Sequence, residues 1–383
     1  MPPSPVYQSG SMRPMEIDRR AFLGGGAALI GAAALAGPAS ASVTPQLFAA
    51  ARRDADGFAA AVFDANGRDV RRIALPGRGH DVAFHAATGR CVAFARRPGN
   101  FAVAFSASGR QLPIAFTTPA DRHFYGHGVF SRDGQLLYAT ENDYDGARGC
   151  IGIYDAAGRY QRVGELPSGG IGPHDVQLSQ DGRHLIVANG GIETHPDIGR
   201  GRAKLNLATM SPNIARVSLA SGEMVETLEL SPDLAKVSLR HLELAGQQRI
   251  VVGAQAQRGA PGDAPIAFAS DSRGRLVPLV LPRDISKRMQ NYVSSIAVDA
   301  AGEVAAVTSA RGATVAFFDL GTRRYLGHRL RPDVSGIAPA RSGFLITSGA
   351  GDIATATPNA PLSIHAATAH QWDNHARALT DPA

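Results

Sequence analysis

The segment Gly77-Arg-Gly-His-Asp-Val-Ala-Phe84 begins with small polar residues, places a histidine at position 80 and continues as an apolar strand. Two further segments share this pattern: Tyr125-Gly-His127 before Gly128-Val-Phe130, and Gly172-Pro-His174 before Asp175-Val-Gln-Leu178. The three histidines follow one another at intervals of 47 residues. A period of this length is typical of a four-stranded structural repeat.

Weaker copies of the segment continue to the end of the chain: Arg240-His241-Leu242-Glu243-Leu244, Val293-Ser-Ser-Ile-Ala-Val298, Val334-Ser-Gly-Ile-Ala338 and Trp372-Asp-Asn-His375. Turns that end in glycine, such as Ser131-Arg-Asp-Gly134 and Asp155-Ala-Ala-Gly158, separate the apolar runs between copies. Asp and Gly favour tight hairpin turns. Prolines such as Pro167 then end the last strand of a repeat, because proline cannot donate to a ladder. Each repeat is therefore predicted to contain four antiparallel strands.

The two ends of the chain contain complementary fragments of this repeat. Six complete repeats begin near residues 77, 122, 169, 238, 291 and 333. Residues 47–76 supply three strands without the opening segment, whereas residues 372–379 supply the opening segment alone. The sequence therefore predicts an all-β, seven-bladed β-propeller of four-stranded blades. Its ring is expected to close where the C-terminal strand pairs with the N-terminal blade.

Composition agrees with one β domain over residues 42–383. Of the 383 residues, 44% are hydrophobic and 19% are charged, with 43 Gly and 24 Pro for many short strands and turns. The formal net charge of +6 comes from scattered arginines, without a basic stripe or interleaved aromatics. We therefore expect a monomer with no nucleic-acid partner.

The first 41 residues have the pattern of an export signal. Asp18-Arg-Arg-Ala-Phe-Leu23 precedes a Gly/Ala-rich apolar run over residues 24–37 and the small residues Ala39-Ser-Ala41. This pattern resembles a twin-arginine signal peptide, cleaved after Ala41. The apolar run is shorter than the roughly 20 residues that a membrane-spanning helix needs. The mature protein is therefore expected in the periplasm, without a membrane span after cleavage.

Several segments together resemble a family of exported proteobacterial propeller proteins classified as a domain of unknown function. The segments are His123-Phe-Tyr-Gly-His-Gly128, Thr140-Glu-Asn-Asp-Tyr144, Gly170-Ile-Gly-Pro-His174, Asn189-Gly-Gly-Ile-Glu-Thr-His-Pro196, Lys204-Leu-Asn-Leu207 and Trp372-Asp-Asn-His375. The likeness covers nearly all of residues 44–379. It implies a periplasmic seven-bladed propeller, often encoded near iron-uptake and imelysin-like genes. It supplies no catalytic residues.

Propeller geometry gathers the polar residues of the repeats on one face. The loop that enters the innermost strand and the loop between the second and third strands lie on the same side of a blade, so we expect one ligand-binding mouth. Its predicted residues are His80, His127, His174, His241, His375, Glu141, Asn142, Asp143, Glu193 and His195. Imidazole and carboxylate groups suit a divalent or ferric metal, assigned here to His80, His127 and His174. The same groups equally suit an anionic or sugar-like ligand.

Three functions fit this mouth. The first is a non-enzymatic periplasmic binding protein for a metal or a small polar ligand, in an iron-acquisition setting that the family resemblance implies. The second is a metal-dependent, lactonase-like hydrolase in which Glu141 or Glu193 activates water. The third is a platform that docks a periplasmic protein. The sequence contains no His-Glu-x-x-His, Gly-x-Ser-x-Gly or Cys-x-x-Cys-His motif, which favours binding over catalysis.

Overall fold

Seven four-stranded antiparallel sheets form a closed ring of blades, as the sequence predicts. The computed structural model describes residues 45–379 except Arg110 and residues 247–248. The twin-arginine segment predicted at residues 1–41 lies outside these described residues. Strands make up most of this part of the chain because glycine turns interrupt the apolar runs every few residues.

Blade 1 contains β1 (Leu47–Asp54), β2 (Gly57–Asp64), β3 (Asp69–Leu75) and the C-terminal strand β28 (Gln371–Ala378). Blade 2 contains β4 (Gly79–His85), β5 (Arg90–Ala95), β6 (Phe101–Ser106) and β7 (Ile114–Thr117). Blade 3 contains β8 (Arg122–Phe130), β9 (Leu136–Asp143), β10 (Arg148–Asp155) and β11 (Gln161–Pro167). Blade 4 contains β12 (Pro173–Leu178), β13 (His184–Asn189), β14 (Asn213–Ser218) and β15 (Met224–Glu229).

Blade 5 contains β16 (Val237–Ala245), β17 (Arg249–Ala256), β18 (Ala267–Ser270) and β19 (Leu276–Pro278). Blade 6 contains β20 (Ser295–Val298), β21 (Val304–Ser309), β22 (Thr314–Asp319) and β23 (Tyr325–Leu330). Blade 7 contains β24 (Val334–Pro339), β25 (Phe344–Ser348), β26 (Asp352–Ala356) and β27 (Ser363–Ala367). The connections include the helix α1 (Arg283–Arg288) and 3-10 turns at Gly199–Gly201 and Pro232–Leu234.

The C-terminal strand closes the ring, which confirms the prediction from the two chain ends. β28 pairs antiparallel with β1 and is the innermost strand of blade 1. Trp372 on β28 is 3% exposed and packs on Phe63, with ring centroids 4.5 Å apart. The guanidinium of Arg52 lies over the same indole, 5.1 Å from its centroid. The only tryptophan of the chain is thus part of the ring closure.

The apolar core lies between neighbouring blades. Between blades 2 and 3, for example, Phe94 packs edge-on against Phe124 with ring centroids 5.4 Å apart. Burial of such aromatic faces is the main stabilising term, because each sheet is covered by the next around the ring. The innermost strands contact one another in the order β28, β4, β8, β12, β16, β20, β24 and back to β28. Their inner edges therefore line one central channel.

The single α-helix found among the described residues has six residues. A membrane-spanning helix needs about 20. No helix in this part of the chain is therefore long and apolar enough to cross a bilayer.

Candidate functional site

A β-bulge recurs near the start of most innermost strands and places histidines on the channel axis. Pairing is interrupted between Gly79 and Val82 on β4, between Phe124 and Gly128 on β8, and between Pro173 and Asp175 on β12. The interrupted segments contain His80, His127 and His174. Similar irregularities on β16 and β28 precede His241 and include His375. Because bulged residues leave the ladder, their side chains turn out of the sheet and into the channel.

The bulge on β8 depends on a glycine. Gly126 has a φ of 108°, in the left-handed region that favours glycine. A Cβ atom at this position would lie 2.4 Å from Cδ2 of His80. Gly126 therefore leaves room for the imidazole of His80 beside β8.

The five histidines predicted for the mouth form one cluster, here called the histidine layer. Their ring centroids are close: His80–His127 4.9 Å, His80–His375 4.6 Å, His127–His375 4.8 Å, His174–His241 4.7 Å and His241–His375 4.6 Å. His174 is partly buried and the other four are buried. The structure thus brings together residues that are up to 295 positions apart in the chain.

Four of these histidines have a buried ring nitrogen without a hydrogen-bond partner among the described residues. The atoms are Nδ1 of His80, Nε2 of His127, Nδ1 of His241 and Nε2 of His375. A buried, unpaired polar atom costs about 1–3 kcal/mol. Nδ1 of His80 lies 3.9 Å from Asp373, whereas His127, His241 and His375 lie close enough to share a ligand. A shared ligand explains their unpaired atoms better than packing does.

Two overlapping sets of three histidines have metal-ligand geometry. In each set the ligand atoms all lie within 4.8 Å of one another: His80, His127 and His174 in the first, His127, His241 and His375 in the second. Ligand nitrogens about 2.1 Å from a tetrahedral metal lie roughly 3.4 Å apart, so small side-chain shifts would complete either set.

The second set has the better surroundings for a metal. His127 donates from Nδ1 to Asp81 at 3.1 Å, and Nδ1 of His375 lies 2.9 Å from the Ser295 hydroxyl. Such outer contacts orient metal-binding imidazoles and leave their other nitrogen free. In the first set Arg240 donates to Nδ1 of His174 at 3.3 Å, and its charge also acts on His241 of the second set. The ligand atoms of the predicted set, His80, His127 and His174, meet the same distance, but only in the second set does every histidine have a buried ring nitrogen without a hydrogen-bond partner among the described residues.

Burial keeps most of the layer neutral. Burial and the neighbouring charges of His127 and Arg96 lower the pKa of His80 to about 4. Burial, together with the other imidazoles, also holds the pKa values of His174, His241 and His375 well below the usual range. A neutral imidazole carries the lone pair that a metal needs.

An acidic layer lies deeper in the channel, directly beyond the histidines. Its members follow the histidines along the innermost strands: Asp81, Asp175 and Glu243, with Arg377 among them. Arg377 lies 3.2 Å from Asp81 and 3.5 Å from Glu243, and Asp175 lies 3.5 Å from Nδ1 of His127. Burial acts to lower the pKa of His127, but Asp175 and Asp81 raise it on balance. Burial raises the pKa of Glu243 to about 7 and also raises that of Asp175, so the carboxyl groups of this layer would ionise more fully with a cation nearby.

A cationic cavity of about 320 Å³ lies on the entrance side of the histidine layer. His80, His174 and His241 form part of its wall. Its basic side chains are Arg96, Arg97, Arg202, Lys204, Arg240 and Arg311. The cavity wall includes no carboxylate from the described residues. The sequence analysis did not predict the positive character of this cavity.

The structure directs Glu141, Asn142 and Asp143 away from the mouth. Glu141 is fully buried within blade 3, where it accepts hydrogen bonds from Tyr154 at 2.5 Å and Arg162 at 2.9 Å. Asp143 pairs with Arg148 at 2.7 Å. Their cross-strand partners on β10 and β11 therefore satisfy these carboxylates.

The long insertion at residues 190–212 supplies cations instead of the predicted carboxylate. Asn142 donates to the Thr194 carbonyl at 2.9 Å, and Asn206 holds the insertion together through Gly191. His195 lies outside the cavity, 3.3 Å from Asp145, and Glu193 does not line the cavity either. Arg202 and Lys204 of the same insertion do line it.

A larger depression of about 710 Å³ lies on the other end of blades 4 and 5. Turn residues form much of its wall, and charged groups there are already paired, as Arg216 is with Glu226 at 2.8 Å. The described residues of its wall include no group of buried, unpaired ring nitrogens like that of the histidine layer. We therefore take the central channel as the candidate site.

These features define a seven-bladed β-propeller with a polar central channel. The chain belongs to the family described as "Protein of unknown function (DUF1513)", whose model matches residues 73–379. A search of curated proteins finds no match.

Two solved structures share the fold at low sequence identity. One, titled "Kuenenia stuttgartiensis Hydrazine Synthase", is 14% identical with a TM-score of 0.56, covering 81% of this chain and 90% of that chain. The other is the β-propeller domain of Myceliophteria thermophila Cps50 (Swd1), 12% identical with a TM-score of 0.54, covering 79% of this chain and 96% of that chain. Both likenesses concern the fold alone.

Proposed function

We propose that this propeller is a binding protein that holds a divalent transition-metal ion between His127, His241 and His375 on the channel axis. The observation that carries the proposal is the convergence of buried imidazole nitrogens that lack any other partner among the described residues. The acidic layer beyond them supports a positive charge at this point.

The ligand chemistry narrows the choice of metal. Imidazole nitrogens suit Fe(II), Co(II), Ni(II), Cu(II) and Zn(II), whereas ferric iron and calcium favour oxygen ligands. Because Asp175 and Asp81 raise the pKa of His127, an ion that binds there would displace its proton. Nearby carboxylates contact the histidines rather than the proposed metal position, as Asp81 does. A divalent ion therefore fits better than the ferric alternative. The export signal pattern and the family resemblance support a periplasmic setting linked to iron acquisition.

The hydrolase hypothesis requires Glu141 or Glu193 to act as the base that activates water. Neither residue lies where it could do so. Glu141 is bound to Tyr154 and Arg162 inside blade 3, and Glu193 lies outside the cavity wall. The binding function requires neither residue and is therefore the better-supported proposal.

Calorimetric titration of the chelator-treated protein with Fe(II), Co(II), Ni(II), Cu(II) and Zn(II) tests this function. We expect one ion per chain for at least one metal. The His127→Gln/His241→Gln variant should weaken that binding at least about 100-fold, because loss of an outer-shell partner alone costs 10–100-fold. A matched variant, His328→Ala/His365→Ala, removes two histidines from the outermost strands β23 and β27 and should bind like the wild type. Equal affinity in all three proteins would refute the proposal.

A further inference from the structure

The cationic cavity carries an excess of positive charge that the described residues do not neutralise. Of the cations in the cavity wall, Arg96 alone pairs with a carboxylate from the described part of the chain, Asp373 at 2.8 Å. Arg97 and Arg311 instead lie over the rings of Tyr125 and Tyr292, at 5.5 and 4.2 Å from the centroids. Such contacts leave the guanidinium charge in place, so the cavity remains strongly positive.

Two residues of the insertion, Arg202 and Lys204, add positive charges to the wall of the cationic cavity. Lys204 donates to the amide oxygen of Gln257, which carries no charge. Arg202 makes no ion pair with a described carboxylate. Burial and the neighbouring arginines lower the pKa values of both side chains. Mutual repulsion of this kind is the cost of gathering like charges without a counter-ion.

The surroundings of Arg240 give the strongest support for an anion-binding site. It lines the cavity, is only 6% exposed, and its Nε has no hydrogen-bond partner among the described residues. Among the described residues, its guanidinium donates to Nδ1 of His174 at 3.3 Å. Burying an unpaired guanidinium is expensive, and proteins normally supply a carboxylate, a phosphate or another anion for it.

We propose that this cavity binds a small, multiply charged oxyanion, a polycarboxylate or a phosphate compound, with Arg240 at its floor and Arg97 and Arg202 at its rim. Guanidinium groups bind both kinds of oxyanion through paired N–H donors. The volume of about 320 Å³ suits a small molecule rather than a polymer. This site goes beyond the metal site, because its charges require an anion whether or not a metal occupies the histidine layer.

Calorimetry on the metal-free protein tests the anion site separately from the metal site. The probes are citrate, pyrophosphate and, as the monovalent comparison, acetate. We expect citrate or pyrophosphate to bind at least about tenfold more tightly than acetate, with affinity that falls as salt is added. Tighter binding of citrate would identify a polycarboxylate ligand, and tighter binding of pyrophosphate a phosphate compound.

Two variants with the same change in net charge locate the binding. Arg97→Gln/Arg202→Gln removes rim cations and should weaken anion binding about tenfold or more. Arg183→Gln/Arg324→Gln removes exposed arginines from turns at the opposite end of blades 4 and 6 and should leave it unchanged. Both pairs avoid the buried Arg240, so folding should be preserved. The proposal is overturned if neither multivalent anion outbinds acetate, or if both variants lose the same affinity.

Discussion

Replacing His123 with glutamine should remove part of the acid sensitivity of folding. His123 is 2% exposed and lies outside the histidine layer. Its Nδ1 donates to the Phe124 carbonyl at 3.0 Å, and its Nε2 accepts from Asn142 at 3.1 Å. A proton added to Nε2 of His123 would therefore point at the amide N–H of Asn142 and break this hydrogen bond. Burial, with the charges of Arg97 and His195, accordingly lowers the pKa of His123 to about 4.

The sign of the effect follows from the two pKa values. In the unfolded chain His123 has the ordinary pKa of 6.5, above its value of about 4 in the folded protein. Above pH 6.5 neither state is protonated, and the residue makes no pH-dependent contribution. As the pH falls from 6.5 to 4, only the unfolded state takes up the proton, so folding loses stability. About 2.5 units at 1.4 kcal/mol each amount to about 3.5 kcal/mol in full, and about 3 kcal/mol is lost by pH 4, where the folded protein is itself half protonated at His123.

Urea unfolding at pH 7.5 and pH 4 measures this loss. The value at pH 7.5 gives the cost of the His123→Gln exchange itself, and glutamine keeps an oxygen that can accept from Asn142. Between the two pH values the wild type should lose about 3 kcal/mol more than the variant. The reasoning is refuted if both proteins lose the same free energy of unfolding.

Three other substitutions test the ring closure, a buried ion pair and the proposed metal site. Trp372→Ala should lower the free energy of unfolding by about 3–5 kcal/mol, measured in urea, because it removes the packing on Phe63; a loss below about 1 kcal/mol would contradict the closure role. Glu141→Gln should cost about 1–3 kcal/mol in the same assay, because it weakens the buried hydrogen bonds from Tyr154 and Arg162 while Arg162 keeps its pair with Glu165 at 2.7 Å, yet metal affinity should stay within twofold. Asp81→Asn should weaken metal binding about 10–100-fold in calorimetry, because Asp81 orients His127. The control Asp133→Asn changes an exposed residue and should leave metal binding unchanged. Equal affinities of the two variants would show that Asp81 does not support the site.

The fold could be predicted because each repeat contains short sequence patterns for turns and strand ends. Turns such as Ser131–Gly134 and strand-ending prolines such as Pro167 depend on backbone conformations that few residues adopt. Even the long-range closure between β1 and β28 followed from counting, since the two ends contain complementary parts of one blade. The grouping of five histidines followed from the same repeat, because equivalent positions in a ring face one axis.

The charge balance of the site depends on contacts that no repeat encodes. Glu141 resembles a ligand in sequence, but its partners lie on β10 and β11 of its own blade. The cations Arg202 and Lys204 lie in an insertion without a counterpart in other blades, so the repeat gives no position for them. One signal was available: Arg240 replaces the small residue that precedes the histidine in the stronger copies of the segment.

X-ray absorption spectroscopy of the metal-loaded protein tests the central claim most directly. If His127, His241 and His375 hold the ion, the spectrum should show at least three nitrogen ligands near 2.0–2.1 Å with the outer-shell scattering of imidazole rings. A shell made only of oxygen atoms, or a protein that retains no metal after desalting, would contradict it.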